Sequence, residues 1–284
     1  MKYSQPSGLS GVLLVVLAAS FWGTTGVAAK LSYSLGTSPE GILTLRLALT
    51  APIYIAYLLR GPMKLSREAV AIGLAVLGPY HIAYYYSITY VGVSTASLLL
   101  YTHPVIVALL SKRVLGESLT ARTYVALTLS VIGAILVSLG EVYFSVEGVS
   151  LAVLSSILFS LYVVLSKIAM NRGVRPGELA LGTSLWALPT ILVFQISRGF
   201  NWIKAVGLEV VAIAIYLALI VTALAYFLYM KGLKAIGAAR ATIVSTAEPL
   251  TATAASLMIF AECITPLKAI GGLLIIAAVI LIAK

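Results

Sequence analysis

Two ionisable residues stand mid-way along apolar stretches of this chain, each followed by proline: His103-Pro104 and Glu248-Pro249, the prolines 145 residues apart. A charge at the centre of a membrane helix costs about 2.5–3.5 kcal/mol on insertion scales. Such a residue has to be paired, face water or change its protonation state. Facing a wet cavity, a histidine and a glutamate at that depth could bind a polar solute or carry a proton. The competing reading is a buried structural pair or local hydrogen bonding. Pro104 and Pro249 lack an amide hydrogen and free the carbonyls of Leu100 and Ser245, which predicts a kink at each, either static or hinged. A freed carbonyl beside a cavity could also accept a hydrogen bond from water or a solute.

Other polar aromatics share this pattern. His81, Tyr84 and Tyr85 fall at i, i+3 and i+4, on one helix face. An offset of 145 carries His81 to Tyr226 and Tyr84 to Tyr229. Both sets read as walls of a central cavity, against the alternative of packing or anchoring at the membrane surface, where Tyr is common. Tyr80 and Tyr90 are assigned to that alternative. Trp22 and Thr25 share a face with Ala29, and their counterparts are Phe159, Tyr162 and Ser166. Trp22 could stack on a ring or close a gate, or it could pack. The candidate substrate-binding set is therefore Trp22, His81, Tyr84, Tyr85, His103, Tyr226, Tyr229 and Glu248. Arg46, seven residues into its span, is only ~10 Å from the outer end; it could snorkel, pair with Glu178 or another carboxylate, or bind an anionic group. Lys30 and Lys167 read as anchors at helix ends. Glu117 and Glu262 read as acids at the start of the next helix, where they complement its dipole. Pro52 and Pro189 read as packing kinks, and Pro79 has no counterpart.

The elements that must position these residues are membrane helices. Of 284 residues, 61% are hydrophobic and 10% charged, against about 25% charged in a soluble domain. A helix needs ~20 apolar residues to cross a bilayer. Runs and breaks give ten spans, at roughly 9–30, 39–60, 66–91, 93–114, 120–139, 147–171, 176–197, 207–231, 235–260 and 264–283. Little remains for loops, and none could fold into a soluble domain. The apolar run after Lys2 reads as an uncleaved first helix rather than a signal peptide. The net charge of +10 is an orientation signal rather than a nucleic-acid footprint. With the N-terminus inside, Lys2, Arg60, Lys64, Arg67, Lys112, Arg113, Arg122, Arg172, Arg175, Lys231, Lys234 and Lys284 lie at inner ends. Lys30, Arg198, Lys204 and Lys268 lie at outer ends. Twelve against four predicts both termini in the cytoplasm of a multi-pass protein of the cell membrane.

The chain is written twice. At an offset of 145, residues 84–138 align with 229–283 without a gap, and Gly92/Gly237, Pro104/Pro249, Glu117/Glu262 and Thr120/Thr265 are among ten identities. Upstream the offset is 137, matching Lys30/Lys167, Gly36/Gly173, Pro39/Pro176 and Pro52/Pro189. The second copy has eight extra residues around 198–209. Residues 1–140 and 141–284 thus form two five-span units. Five is odd, so the copies enter the membrane from opposite sides, as an inverted repeat with its site at the interface. Lys112-Arg113 at an inner end correspond to Leu257-Met258 at an outer one, as inversion requires. The fold class is all-α integral membrane: ten transmembrane helices as two inverted five-helix repeats.

At this point the chain resembles a known family. The stretch Tyr90-Val-Gly-Val-Ser-Thr-Ala-Ser through His103-Pro104 to Gly116-Glu117-Ser-Leu-Thr120 is similar to an EamA domain. So is Ile236-Gly237-Ala-Ala through Glu248-Pro249 to Glu262-Cys-Ile-Thr265, and Phe21-Trp22-Gly23 fits as well. Tandem EamA domains over nearly the whole chain are the layout of the drug/metabolite transporter superfamily, which implies export of amino acids or related metabolites. The second copy departs by carrying Phe159-Ser160 for Trp22-Gly23, so the halves need not contact substrate alike.

Other functions lose ground. No Walker-type phosphate loop and no His-Glu-x-x-His zinc pattern occurs. With no Asp, Asp-rich diphosphate-metal chemistry is excluded. The lone cysteine, Cys263, allows no internal disulfide, and no cofactor or metal is expected. A Ser–His hydrolase stays open as a rival, since His81 and His103 have serines nearby, as do a non-transporting receptor and a lipid scramblase. The leading expectation is a secondary or facilitative carrier of small polar or aromatic metabolites, with the lipid bilayer and a small molecule as partners and proton coupling as an option.

Overall fold

A computed structural model describes residues 8–60, 66–139, 144–196, 199–260 and 264–284. Cys263, Glu262, Lys2, Lys64 and Arg198 lie outside the described residues. Every regular element among them is helical. In chain order these are α1 (Gly8–Gly23), α2 (Thr25–Ser34), α3 (Pro39–Arg60), α4 (Arg67–Ile72), α5 (Gly78–Leu100), α6 (His103–Leu110) and α7 (Ala121–Ser138). The second half adds α8 (Val146–Asn171), α9 (Pro176–Ile196), α10 (Leu208–Tyr216), α11 (Ala225–Ile236), α12 (Ala238–Ser245), α13 (Glu248–Phe260) and α14 (Pro266–Ala283). Eight described segments are long and apolar enough to cross a membrane. The longest, Arg67–Leu115, has 49 residues.

Polar residues mark where the helices begin. Ser66, Thr120, Ser145 and Thr265 each accept the backbone N–H three residues on, capping α4, α7, α8 and α14. Pro39, Pro176 and Pro266 sit at N1, where the missing amide hydrogen costs nothing. The outer surface carries large apolar side chains in the open, with Leu273 67% and Val193 69% exposed. So much apolar surface calls for lipid around it.

Inside, helices approach through glycine. A Cβ on Gly11 would stand 2.6 Å from Ile236 Cγ2, so α1 and α11 touch nearly backbone to backbone. At the related positions, a Cβ on Gly148 would stand 2.5 Å from Val91 Cγ1, joining α8 to α5. Gly23 meets the Glu248 carbonyl in the same way, with 2.6 Å left for a Cβ. At the matching place Ser160 fits and donates to the His103 carbonyl at 3.4 Å.

Breaks in the helices recur at related positions. Gly92, inside α5, has φ 75° and ψ 166°; Gly237, between α11 and α12, has φ 88° and ψ 167°. Only glycine takes this backbone readily. Gly36 and Gly173 are likewise left-handed, at φ 88° and 101°. Wide π turns interrupt the helix at Gly73–Leu77 and at Leu217–Leu224. Ahead of the two His/Glu-Pro pairs the helix is interrupted outright: α5 ends at Leu100 and α6 begins at His103, while α12 ends at Ser245 and α13 begins at Glu248. Pro52 and Pro189, by contrast, lie inside continuous helices.

Candidate functional site

The site is built where these interruptions meet. A cavity of about 490 Å³ lies among α1, α2, α3, α5, α6, α8, α11, α12 and α13. Its volume falls within the ~300–1,000 Å³ usual for small-molecule sites. From mid-depth it runs toward the Gly92 end of the molecule, where Lys30, Val93, Ser256 and Phe260 line it. No residue flanking the Gly237 break lines it.

Of the sequence-selected residues, Trp22, His81, Tyr84, Tyr85, His103, Tyr226 and Glu248 line the cavity. Tyr229 does not: its ring backs Trp22 at 4.9 Å, and its hydroxyl is buried with no partner. Trp22 also meets Tyr226 edge-on at 5.1 Å and Phe159 at 6.3 Å. Such edge contacts contribute about 0.5–1.5 kcal/mol each beyond burial, so Trp22 is held among three rings where it lines the cavity. Tyr84 exchanges a hydrogen bond with Ser97 at 3.0 Å, so its hydroxyl is held by the same helix past the Gly92 break. His81 turns Nδ1 to the Leu77 carbonyl at 2.9 Å, the turn left loose by the π stretch before it.

His103 and Glu248 differ sharply. His103 uses Nδ1 on the Leu100 carbonyl at 2.9 Å, the very carbonyl that Pro104 leaves free. Its Nε2 is buried without a partner, and its ring meets Phe159 edge-on at 4.9 Å. Glu248 has no described hydrogen-bond partner and faces the cavity. The freed Leu100 carbonyl thus already holds one hydrogen bond from the protein itself.

Several residues carry more than the sequence indicated. Arg46 is 4% exposed and lines the cavity, its Nε donating to Thr222 Oγ1. This corrects both the snorkelling reading and the pairing with Glu178, whose carboxylate stands 4.0 Å from Arg175 instead. The reason is tertiary: the π turn of Leu217–Leu224 brings Thr222 against α3. Tyr80, read from sequence as packing, lines the cavity and stacks on Tyr84 at 6.1 Å and 11°. Its i, i+4 relation to Tyr84 was the available signal. Tyr33, Ser94 and Tyr101 line it too; Ser94 belongs to the EamA-like stretch, and no pattern had marked the two tyrosines.

Two further readings change. Glu117 caps a helix, but not its own. Its carboxylate accepts from the N–H groups of Ala238 at 2.7 Å and Ala239 at 3.1 Å, at the start of α12, while Thr120 caps α7. Lys167 is no surface anchor: it is half-buried and donates to the carbonyls of Leu233 at 3.3 Å and Lys234 at 3.0 Å.

Comparison with known proteins agrees with this architecture. The model of the EamA-like transporter family matches residues 9–139 and again 146–284. The chain is 31% identical to an uncharacterized transporter of Archaeoglobus fulgidus, with 95% of each chain covered. It is 27% identical to the threonine/homoserine exporter RhtA of Escherichia coli, over 96% of this chain and 91% of that one. A solved crystal structure, 21% identical, superposes with a TM-score of 0.80 over 96% of both chains. At that identity the likeness shows the fold.

Proposed function

Because this chain belongs to the EamA-like transporter family, we propose that it is a secondary or facilitative carrier that exports amino acids or closely related metabolites by alternating access. It is a membrane transporter and not an enzyme, which removes the hydrolase alternative. The finer reading rests on one observation. Arg46 and Glu248, of opposite charge, face one cavity, and no ion pair joins them among the described residues. A solute with a carboxylate and an ammonium group would meet a guanidinium and a carboxylate, in surroundings where charge-assisted hydrogen bonds are strong. Trp22, Tyr80, Tyr84 and Tyr226 would cover its side chain. The name of the Escherichia coli relative, an exporter of threonine and homoserine, supports the same class.

Ten membrane helices in two inverted five-helix repeats, 1–140 and 141–284, belong to this proposal. At 1.5 Å per residue, the 49 residues of Arg67–Leu115 measure about 73 Å, two bilayer cores, and the Gly92 break divides them. The 22 residues of α3 add a further span. The paired glycine breaks, π turns and glycine contacts support two copies of one unit. Both termini are taken as cytoplasmic from the basic residues, so the cavity opens outward and the Gly237 end faces the cytoplasm. The interruptions before Pro104 and Pro249 serve as hinges. Glu248 is the group able to carry a proton, should transport be coupled to one.

Reconstitution in liposomes tests the proposal. Counterflow of radiolabelled threonine and other neutral amino acids is expected above empty-liposome background. Repeating it with and without an imposed pH gradient separates proton-coupled export from uniport. Absence of counterflow for every amino acid tried would remove the substrate class.

A further inference from the structure

The two glycine breaks have the same backbone and different company. Where a helix ends and another begins, the last carbonyls and the first N–H groups lose their helical partners. At Gly237 both sets are met by side chains from elsewhere in the fold. The Lys167 ammonium sits on the Leu233 and Lys234 carbonyls, at the C-terminus of α11. The Glu117 carboxylate sits on the Ala238 and Ala239 amides, at the N-terminus of α12. Each charge is on the helix end whose dipole it complements. The fit is close: a Cβ on Gly237 would stand 2.9 Å from Glu117 Oε1.

At Gly92 the related residues are differently engaged. By the two sequence offsets, Lys30 corresponds to Lys167, Ile88 and Thr89 to Leu233 and Lys234, and Val93 and Ser94 to Ala238 and Ala239. The Lys30 ammonium lies over the Phe260 ring, 4.1 Å from its centroid. Lys30, Ile88, Val93 and Ser94 all line the cavity, whereas Ala238 and Ala239 are buried against protein. At the closed end Glu117 and Lys167 cap the break, and at the open end Ile88, Val93 and Ser94 face the cavity; Glu262, the counterpart of Glu117, lies outside the described residues.

We propose that Glu117 and Lys167 are positioning residues that latch the Gly237 end shut, and that Lys30 makes the matching contact with the Ile88 and Thr89 carbonyls when the cavity closes at the Gly92 end. Each cycle exchanges one latch for the other, so the Lys30/Lys167 identity between the two halves has a mechanical meaning. The proposal rests on the alternating-access reading above, but its test needs no substrate.

In a background with Cys263→Ser, single cysteines are introduced as Ala239→Cys at the latched end and Ser94→Cys at the open end. The reconstituted protein is labelled with a membrane-impermeant maleimide on both faces. The parent is expected to label at position 94 and resist at 239. Glu117→Gln and Lys167→Met are each expected to raise labelling at 239 about tenfold, the effect of losing a charge-assisted hydrogen bond, and to lower it at 94. Lys167→Arg, which keeps a cationic donor, is expected to stay near the parent. Lys30→Met is expected to hold position 94 open and reduce labelling at 239 further. Unchanged labelling at 239 in both latch variants overturns the proposal. A simultaneous rise at both positions, the mark of a loosened fold, also overturns it. Reciprocal labelling in a protein that moves no amino acid would keep the latch and defeat the substrate proposal; counterflow with unchanged labelling would do the reverse.

Discussion

His103 and Glu248 occupy related places, each opening a new helix and each followed by proline, and both line the cavity, yet their polar atoms are differently engaged. His103 satisfies the carbonyl that its own proline frees, and its second nitrogen is buried without a partner, with the ring edge-on to Phe159. Glu248 has nothing of the kind and points its carboxylate into a cavity that also holds Arg46. Duplication thus supplied two equivalent helix interruptions. At one the side chain hydrogen-bonds locally, and at the other it lines the cavity with no described hydrogen bond.

Substitutions separate the two positions. The largest effect is expected for Glu248→Gln, which keeps the shape and removes the charge: amino-acid counterflow should fall at least tenfold, since a hydrogen bond to a charged group is worth about 1.5–3 kcal/mol. Arg46→Gln should fall by a similar factor and also lower thermal stability, because the Thr222 contact goes with it. His103→Gln should cost less than about threefold in counterflow. Its deficit should appear instead as a drop in melting temperature, about 1 kcal/mol for one neutral hydrogen bond; a loss of counterflow equal to that of Glu248→Gln would erase the contrast. The smallest effect belongs to Tyr229→Phe, which deletes a buried hydroxyl that has no partner. Melting temperature and counterflow should both stay near the parent or rise slightly.

Much of this was legible in the sequence because helices in lipid announce themselves. The apolar runs located the helical segments, the resemblance to EamA domains was carried by glycine and proline punctuation, and Glu248 stood out as an acid where none is cheap. What was not legible was tertiary. Arg46 finds Thr222 176 residues away, and Glu117 caps a helix 121 residues downstream; no local spacing encodes either partner. Tyr226 and Tyr229 are both on the predicted face, but three residues turn a helix by about 300°. That remaining 60° separates a residue lining the cavity from one packed behind Trp22. Tyr101 lies in the turn between α5 and α6, outside any helical period, so periodicity could not select it.

The central claim is that the cavity reads a solute by both of its charges. Competition in the counterflow assay tests it most directly, using a transported amino acid, its methyl ester, which lacks the carboxylate, and its deamino analogue, which lacks the ammonium group. Only the amino acid should compete with the wild-type protein, and Glu248→Gln should narrow the gap to the deamino analogue while still rejecting the ester. Equal competition by the ester and the amino acid in the wild-type protein would contradict the account.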